Sequence, residues 1–293
     1  MFQHALICTD LTDSMSRFAR VIPGLAAGGL RRIVFFHNVP IETERSVPRI
    51  DEEAIAASRQ QLESLIANAP AEVQVVVEVA SGRPTDNILK LVKAHAIDII
   101  FLGMPTRNLL AEKLFGSTTM ELAERTPVPL MILRPQLVST YTTEELTLRC
   151  RNLFRNLLIP YDGSRGAQHL IESLQHQVNE SSESVLESCL LLKVIDEGMR
   201  EELRGDTPIK TAEAQLSAVG KVLNPLGVKV ETLVRTGEPL NEILSVAELY
   251  DISAIAACSG NINRLLGWSV PSLTRDILRQ SWHPVLYFPK PKS

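Results

Sequence analysis

The chain has 293 residues, and 30 basic against 34 acidic side chains give a formal net charge of −4. At roughly 100–200 residues per domain, this length favours two domains. The acidic balance argues against nucleic-acid binding by bulk charge, and 5% aromatic residues provide few platforms for base stacking. We therefore expect no nucleic-acid partner.

The first half predicts alternating strands and helices. Apolar, β-branched runs separated by stretches with helical spacing are typical of a parallel sheet covered on both faces. Thr85 is the predicted N-cap of the third helix. The predicted strands are 4–9, 32–39, 72–79, 98–102 and 129–133, and the predicted helices are 13–28, 51–67, 85–96 and 117–126.

The second half repeats the first at an offset of 155, which places Gly82 on Gly237 and Pro84 on Pro239. A period of this length indicates a duplicated domain. We predict one domain over 1–136, a polar linker over 137–152 that holds a short helical piece, and a second domain over 153–293. The predicted strands of the second copy are 156–161, 186–194, 228–235, 253–257 and 284–288, and its helices are 164–178, 207–223, 240–250 and 272–281.

The cysteines and the apolar runs bear on the compartment. The four cysteines form no CxxC pair, so no zinc site is indicated. Cys8, Cys189 and Cys258 lie in apolar runs and are interpreted as small buried hydrophobic residues. No apolar run reaches the ~20 residues that span a bilayer, and the first residues do not resemble a signal peptide. We expect a cytoplasmic protein without membrane association.

In an open parallel sheet, ligands bind beyond the carboxyl ends of the strands. In the first copy these ends are Thr9 and Asp10, Val39 and Pro40, Ser81 and Gly82, and the stretch from Gly103, in which Gly116 with Ser117 opens the next helix. A glycine before a helix N-terminus lets anionic groups approach exposed amides. An ordinary turn followed by an N-cap explains the same pattern.

This arrangement resembles the universal stress protein family. Its ATP-binding members carry G-x2-G-x9-G-[S/T] after the fourth strand and an Asp at the end of the first. Here the motif reads Gly103-x2-Thr106-x9-Gly116-Ser117, with Asp10 in place. The resemblance implies an α/β fold of two flavodoxin-like (Rossmann-like) domains, each a five-stranded parallel sheet of order 3-2-1-4-5, and a role in stress tolerance.

The resemblance also implies a site. Asp10, beside Thr9, would contact the ribose, and the backbone at Val39 would meet the adenine. Thr106 departs from the family glycine, so that its methyl group obstructs the phosphates or its hydroxyl donates to them. The residues that would surround the phosphates are Gly103, Thr106, Arg107, Gly116, Ser117 and Thr118.

The second copy departs further from the motif. It reads Cys258-x2-Asn261-x9-Pro271-Ser272, so all three glycines are replaced. Proline lacks the N–H that a phosphate would need. Asp162-Gly163-Ser164 keeps the first-strand turn. We expect a degenerate site, although another ligand stays open.

The first hypothesis is a tandem universal stress protein that acts as a nucleotide-responsive binding module for ATP or a related adenine nucleotide, with Mg²⁺. The alternative is an interaction scaffold that binds an unidentified protein partner and no nucleotide. A nucleotide-hydrolysing enzyme is a third reading, but no base is positioned for water. The resemblance further implies that 129–133 and 284–288 pair as a pseudo-dimer within the chain, with a homodimer left open.

Overall fold

The computed structural model describes residues 1–11, 14–41, 50–67, 69–103, 117–180, 184–196, 207–258 and 273–289. Contacts divide the chain into two compact units, an N-terminal unit over Phe2–Arg151 and a C-terminal unit over Asn152–Ser293 that includes Met1. Among the described residues, none of the helices has the length and the hydropathy that a membrane span requires.

The N-terminal unit is built on five parallel strands in the order β3-β2-β1-β4-β5. Its strands are β1 (His4–Cys8), β2 (Arg32–Val39), β3 (Gln74–Ser81), β4 (Ile99–Gly103) and β5 (Leu130–Leu133). Its first helices are a 3-10 helix (Ser14–Val21), α1 (Ile22–Ala27), α2 (Glu52–Ile66), α3 (Pro84–Ala94) and α4 (Ser117–Arg125).

The central strands are apolar because helices cover both faces of the sheet. Phe101 of β4 is fully buried and meets Phe18 of the 3-10 helix edge to face, with ring centroids 6.0 Å apart. On α2, the Asp51 carboxylate caps the helix by accepting a 2.8 Å hydrogen bond from the Ala54 N–H. The core therefore lies between the sheet and its helices.

Two local predictions are corrected. Residues 14–27 form a 3-10 helix followed by α1, and not one continuous helix, because Pro23 is tolerated only in the first turn of an α-helix. Thr85 does not cap α3. Arg83 occupies the N-cap position and Pro84 begins the helix, while Thr85 is buried and donates to Glu121.

The segment predicted as a linker contains two helices, α5 (Pro135–Thr140) and α6 (Thr143–Arg151). Thr142 and Glu145 form a capping box at the start of α6. α6 packs on α1 at Gly24 and Gly28.

The contact between α6 and α1 leaves no room for a side chain at position 24 or at position 28, just after α1. A Cβ at Gly24 would lie 2.5 Å from the Thr147 carbonyl oxygen, and one at Gly28 would lie 2.7 Å from the Cys150 carbonyl oxygen. Backbone therefore packs against backbone, and α6 belongs to the N-terminal unit.

The C-terminal unit repeats this architecture, with parallel strands in the order β8-β7-β6-β9-β10. Its strands are β6 (Asn156–Pro160), β7 (Ser188–Ile195), β8 (Lys229–Thr236), β9 (Ala254–Cys258) and β10 (Val285–Phe288). Its helices are α7 (Arg165–Asn179), α8 (Thr207–Leu223), a 3-10 turn (Asn224–Leu226), α9 (Pro239–Leu249) and α10 (Leu273–Gln280).

The duplication extends to backbone conformation. Ala96 and Asp251, at matching positions before β4 and β9, have φ of 49° and 48°. Gly82 and Gly237, which follow β3 and β8, also have positive φ. The fold-class prediction of two parallel α/β domains is confirmed.

Candidate functional site

The carboxyl end of β1 is the switch point of the N-terminal sheet. β1 pairs with β2 on one side and with β4 on the other. The chain continues outward along the sheet from β2 in one direction and from β4 in the opposite direction. A crevice forms at such a point, and ligands of open α/β sheets bind there.

Most of the predicted site residues in the described ranges lie at this edge. Thr9 and Asp10 follow β1, Val39 ends β2 and Gly103 ends β4, while Ser117 and Thr118 begin α4. Thr106, Arg107 and Gly116 lie outside the described residues. The register of the strands therefore places the ends of β1, β2 and β4 side by side.

The turn after β1 is shaped by Thr9. Thr9 is buried, and its Oγ1 accepts a 3.0 Å hydrogen bond from the Leu11 N–H. His37 Nδ1 lies 2.9 Å from the Thr9 carbonyl oxygen. Leu11 has φ 65°, a left-handed conformation that is uncommon for a residue with a branched side chain. This turn leaves the Asp10 residue exposed at the switch point.

The ends of β2 and β3 are joined by three polar side chains. The Ser81 hydroxyl donates to the Val39 carbonyl oxygen at 3.0 Å. The Asn38 amide donates to the Gly82 carbonyl at 3.0 Å and to the Val39 carbonyl at 3.3 Å. Asn87 Nδ2 donates to Asn38 Oδ1 at 2.9 Å and to the Ser81 carbonyl at 3.1 Å. The Val39 carbonyl thus accepts two donors.

A charged network joins α3 to α4. Glu121 accepts from the Thr85 hydroxyl at 2.8 Å and pairs with Arg83 at 2.8 Å and Arg125 at 2.7 Å. Arg125 also pairs with Asp86 at 2.8 Å. The hydrogen bonds from Thr85 and Arg125 lower the pKa of Glu121.

Sequence reasoning placed Ser81 at the end of a strand but missed this network and the two amide side chains, Asn38 and Asn87, near Val39. The spacing of Glu121 and Arg125, four residues apart, was a detectable signal for one ion pair. The remaining contacts join elements that are far apart in the chain. Among the described residues no group of three or more His, Cys, Asp or Glu side chains could hold a metal ion.

The C-terminal unit arranges the same positions differently. Asp162 Oδ1 accepts from the Ser164 N–H at 2.8 Å, and Gly163, at the position of Leu11, has φ 82°. The offset of 155 places Val194 on Val39, and at the next residue the Ile195 carbonyl accepts from the Gly237 N–H at 3.1 Å. The offset of 155 puts no amide side chain at the positions of Asn38 and Asn87. The residues Asn261, Pro271 and Ser272 of the altered motif lie outside the described residues.

The four cysteines fall into two groups that differ in burial. Cys150 and Cys189 are buried, and burial raises the pKa of each thiol to about 12. Cys8 and Cys258 are only half-buried, which corrects the prediction for these two. They end β1 and β9, where a strand leaves the core at the carboxyl edge of its sheet.

The model of the universal stress protein family matches residues 1–134 and 153–289. The chain belongs to the universal stress protein family. The two matched segments correspond to the two copies, so this is a tandem member. The search of curated proteins finds no match.

Solved structures of this family share the fold. A universal stress protein from Archaeoglobus fulgidus DSM 4304 is 19% identical over 98% of both chains, with a TM-score of 0.66. One from Pseudomonas aeruginosa UCBPP-PA14, described as a putative member, is 13% identical over 98% of this chain and 93% of that chain, with a TM-score of 0.53. A universal stress protein in complex with cAMP is 13% identical over 46% of this chain and 97% of that chain, with a TM-score of 0.36.

Proposed function

We propose that the chain is a cytoplasmic, nucleotide-responsive binding module that takes ATP or a related adenine nucleotide, with Mg²⁺, in its N-terminal unit. The observation that carries the proposal is the edge where β1, β2 and β4 end at the switch point, with α4 beginning after β4. Asp10 is exposed there, after a turn whose left-handed residue is Leu11. Strained backbone of this kind is often kept at ligand sites.

Each part of a nucleotide has a proposed partner. The Asp10 carboxylate accepts hydrogen bonds from the ribose hydroxyls, and the backbone at Val39 meets the base. The N-terminus of α4, with Ser117 and Thr118 in its first turn, faces the phosphates, because helix N-termini favour anions. Gly103, Thr106, Arg107 and Gly116 complete the phosphate loop by their place in the family motif.

The chain offers a matched pair of variants for the test, because Asp162 stands at the position of Asp10 in the C-terminal unit. Asp10→Asn removes the charge and one acceptor oxygen from the proposed ribose contact. We expect it to weaken ATP binding about 10-fold or more, the usual cost of a charge-assisted hydrogen bond. Asp162→Asn keeps an oxygen for the Ser164 N–H and should leave the affinity unchanged. Calorimetric titration of the full chain with Mg-ATP, and with cAMP as a second ligand, measures the affinities of both variants.

Equal losses in the two variants would contradict the assignment to the N-terminal unit. Absence of binding in the wild type at millimolar nucleotide would overturn the proposal altogether. The purified protein can also be analysed by mass spectrometry for bound nucleotide, which is independent of any variant.

The interaction scaffold is the second candidate, and two exposed apolar side chains are its candidate contact residues. Leu249 at the end of α9 is 69% exposed, and Trp282 between α10 and β10 is 60% exposed. Such side chains are typical of protein contacts when they form a patch. The partner, the pairing of the two units as a pseudo-dimer and the formation of a homodimer stay predictions.

A further inference from the structure

We infer that Ser81 sets the base preference of the N-terminal site, making it tolerant of purines that carry an exocyclic oxygen in place of the amino group of adenine. This inference rests on the proposed function, which puts the base at the Val39 backbone. Its starting point is that the Val39 carbonyl is already engaged by side chains of the chain itself.

The acceptor capacity of the Val39 carbonyl is full. A carbonyl oxygen has two lone pairs, and here they accept from the Ser81 hydroxyl at 3.0 Å and from the Asn38 amide at 3.3 Å. Val39 as a whole is buried, at 5% exposed. The amino group of adenine is a donor, and it can bind this carbonyl only by displacing one of these two.

The Asn38 amide is held in place. Its second hydrogen is donated to the Gly82 carbonyl at 3.0 Å, and its oxygen accepts from Asn87 at 2.9 Å. Asn87 is fixed in turn by its bond to the Ser81 carbonyl. Rotation of Asn38 would therefore break several bonds at once, whereas the Ser81 hydroxyl has one bond to lose.

The Ser81 hydroxyl is the adaptable member because its hydrogen can rotate. With adenine, it competes with the amino group for the Val39 carbonyl, and this competition weakens binding. With a base that carries an exocyclic oxygen, the same hydroxyl can donate to that oxygen. One serine thus reduces the advantage of adenine and improves the fit of the alternative base.

The C-terminal unit lacks this arrangement. The offset of 155 puts Thr236 at the position of Ser81, but Lys193 and Glu242 replace Asn38 and Asn87. Val194 stands at the position of Val39, and neither of these two neighbouring positions carries an amide side chain. A hydroxyl is thus kept at Thr236, and what is specific to the N-terminal unit is the pair of amide side chains, Asn38 and Asn87, that surround the Val39 carbonyl and Ser81.

The test compares Mg-ATP with Mg-ITP, which carries the exocyclic oxygen, by calorimetric titration of the full chain. Ser81→Ala should raise the ratio of ATP to ITP affinity by about 3- to 10-fold, the range expected for one net hydrogen bond. Ser81→Thr keeps the hydroxyl on a strand residue and should retain the wild-type ratio. Ser64→Ala, which removes a hydroxyl-to-carbonyl hydrogen bond on α2, is the matched control and should leave the ratio of ATP to ITP affinity unchanged.

The outcomes separate the two proposals. If wild type binds ATP and Ser81→Ala leaves the ratio unchanged or lowers it, the role of Ser81 is overturned and the proposed function stands. If the wild type and all variants bind neither nucleotide, both proposals fail. Thermal unfolding followed by circular dichroism tests whether Ser81→Ala is folded. If Ser81→Ala is unfolded, Ser81→Cys replaces it. Because cysteine places a weak donor at this position, it should give an intermediate ratio of ATP to ITP affinity.

Discussion

Asp98 in the N-terminal unit and the matching residue in the C-terminal unit hold the first strand of their sheets with different side chains. Its carboxylate accepts from the backbone N–H groups of Gln3 at 2.8 Å and His4 at 3.0 Å, and so fixes the start of β1 beside β4. Burial raises the pKa of Asp98, although these two bonds act in the opposite direction. The matching Ser253 accepts from the Asn156 N–H alone, at 3.2 Å.

We predict that Asp98→Ala destabilises the N-terminal unit by about 2 kcal/mol or more, because two part-buried donors lose their partner. Ser253→Ala, the matched variant, should cost about 1 kcal/mol for one weaker bond. Urea unfolding followed by circular dichroism measures both. An equal cost in the two variants would contradict the role given to the second carboxylate oxygen.

The site could be predicted from the sequence only in part, and the reason is visible at single residues. Asp10, Val39 and Gly103 were identifiable because each ends an apolar run that predicts a strand. The bond from Ser81 to Val39 spans 42 residues, and the one from Thr85 to Glu121 spans 36. Such pairs depend on which strands and helices are neighbours, and local patterns carry no information about that.

At the scale of elements, most strands and helices were predictable because their apolar residues follow the period of the structure. The exceptions have local causes. Pro23 divides the predicted helix 13–28, and Pro84 moves the start of α3 ahead of Thr85. The helices α5 and α6 were underestimated because their sequence is polar, and their buried positions are few.

Glu121 of α4 joins this helix to α3 through the charged network, so the contact between the two helices depends on pH. The pKa of Glu121 is lowered from its ordinary 4.5, so the folded state favours the ionised form. The stabilisation is complete above that ordinary value and is lost as the pH falls through the lowered value. We predict that Glu121→Gln lowers the Tm at neutral pH, and that this difference from wild type shrinks on acidification.

Thermal unfolding across the acidic range measures this effect. Glu63→Gln, a change of an exposed glutamate on α2, serves as the control. A difference that persisted unchanged at low pH would mean that the charge of Glu121 does not hold α3 to α4.

In the chain as a whole, contacts divide the two units after Arg151, within the segment 137–152 that the sequence predicts as a linker. Val138 of α5 and Leu146 and Cys150 of α6 are buried, each at most 4% exposed. A fragment of residues 1–136 would lose all three and uncover α1 at Gly24 and Gly28. When the chain is divided after Arg151, these three residues stay in the N-terminal unit.

We predict that the fragment 1–151 unfolds cooperatively and that the fragment 1–136 is less stable by roughly 3 kcal/mol or more, from the apolar surface that is no longer buried. Denaturant unfolding of both fragments measures the difference. Equal stabilities would show that α5 and α6 are dispensable for the N-terminal unit.

The cysteines have a practical consequence. Cys8 and Cys258 give each unit one half-buried thiol at the carboxyl end of a strand, while burial keeps Cys150 and Cys189 protonated. The thiolate is the nucleophile that attacks an alkylating dye. The native chain therefore carries one attachment point for a fluorophore in each copy, and replacing either Cys8 or Cys258 by serine leaves a single dye that reports on one copy alone.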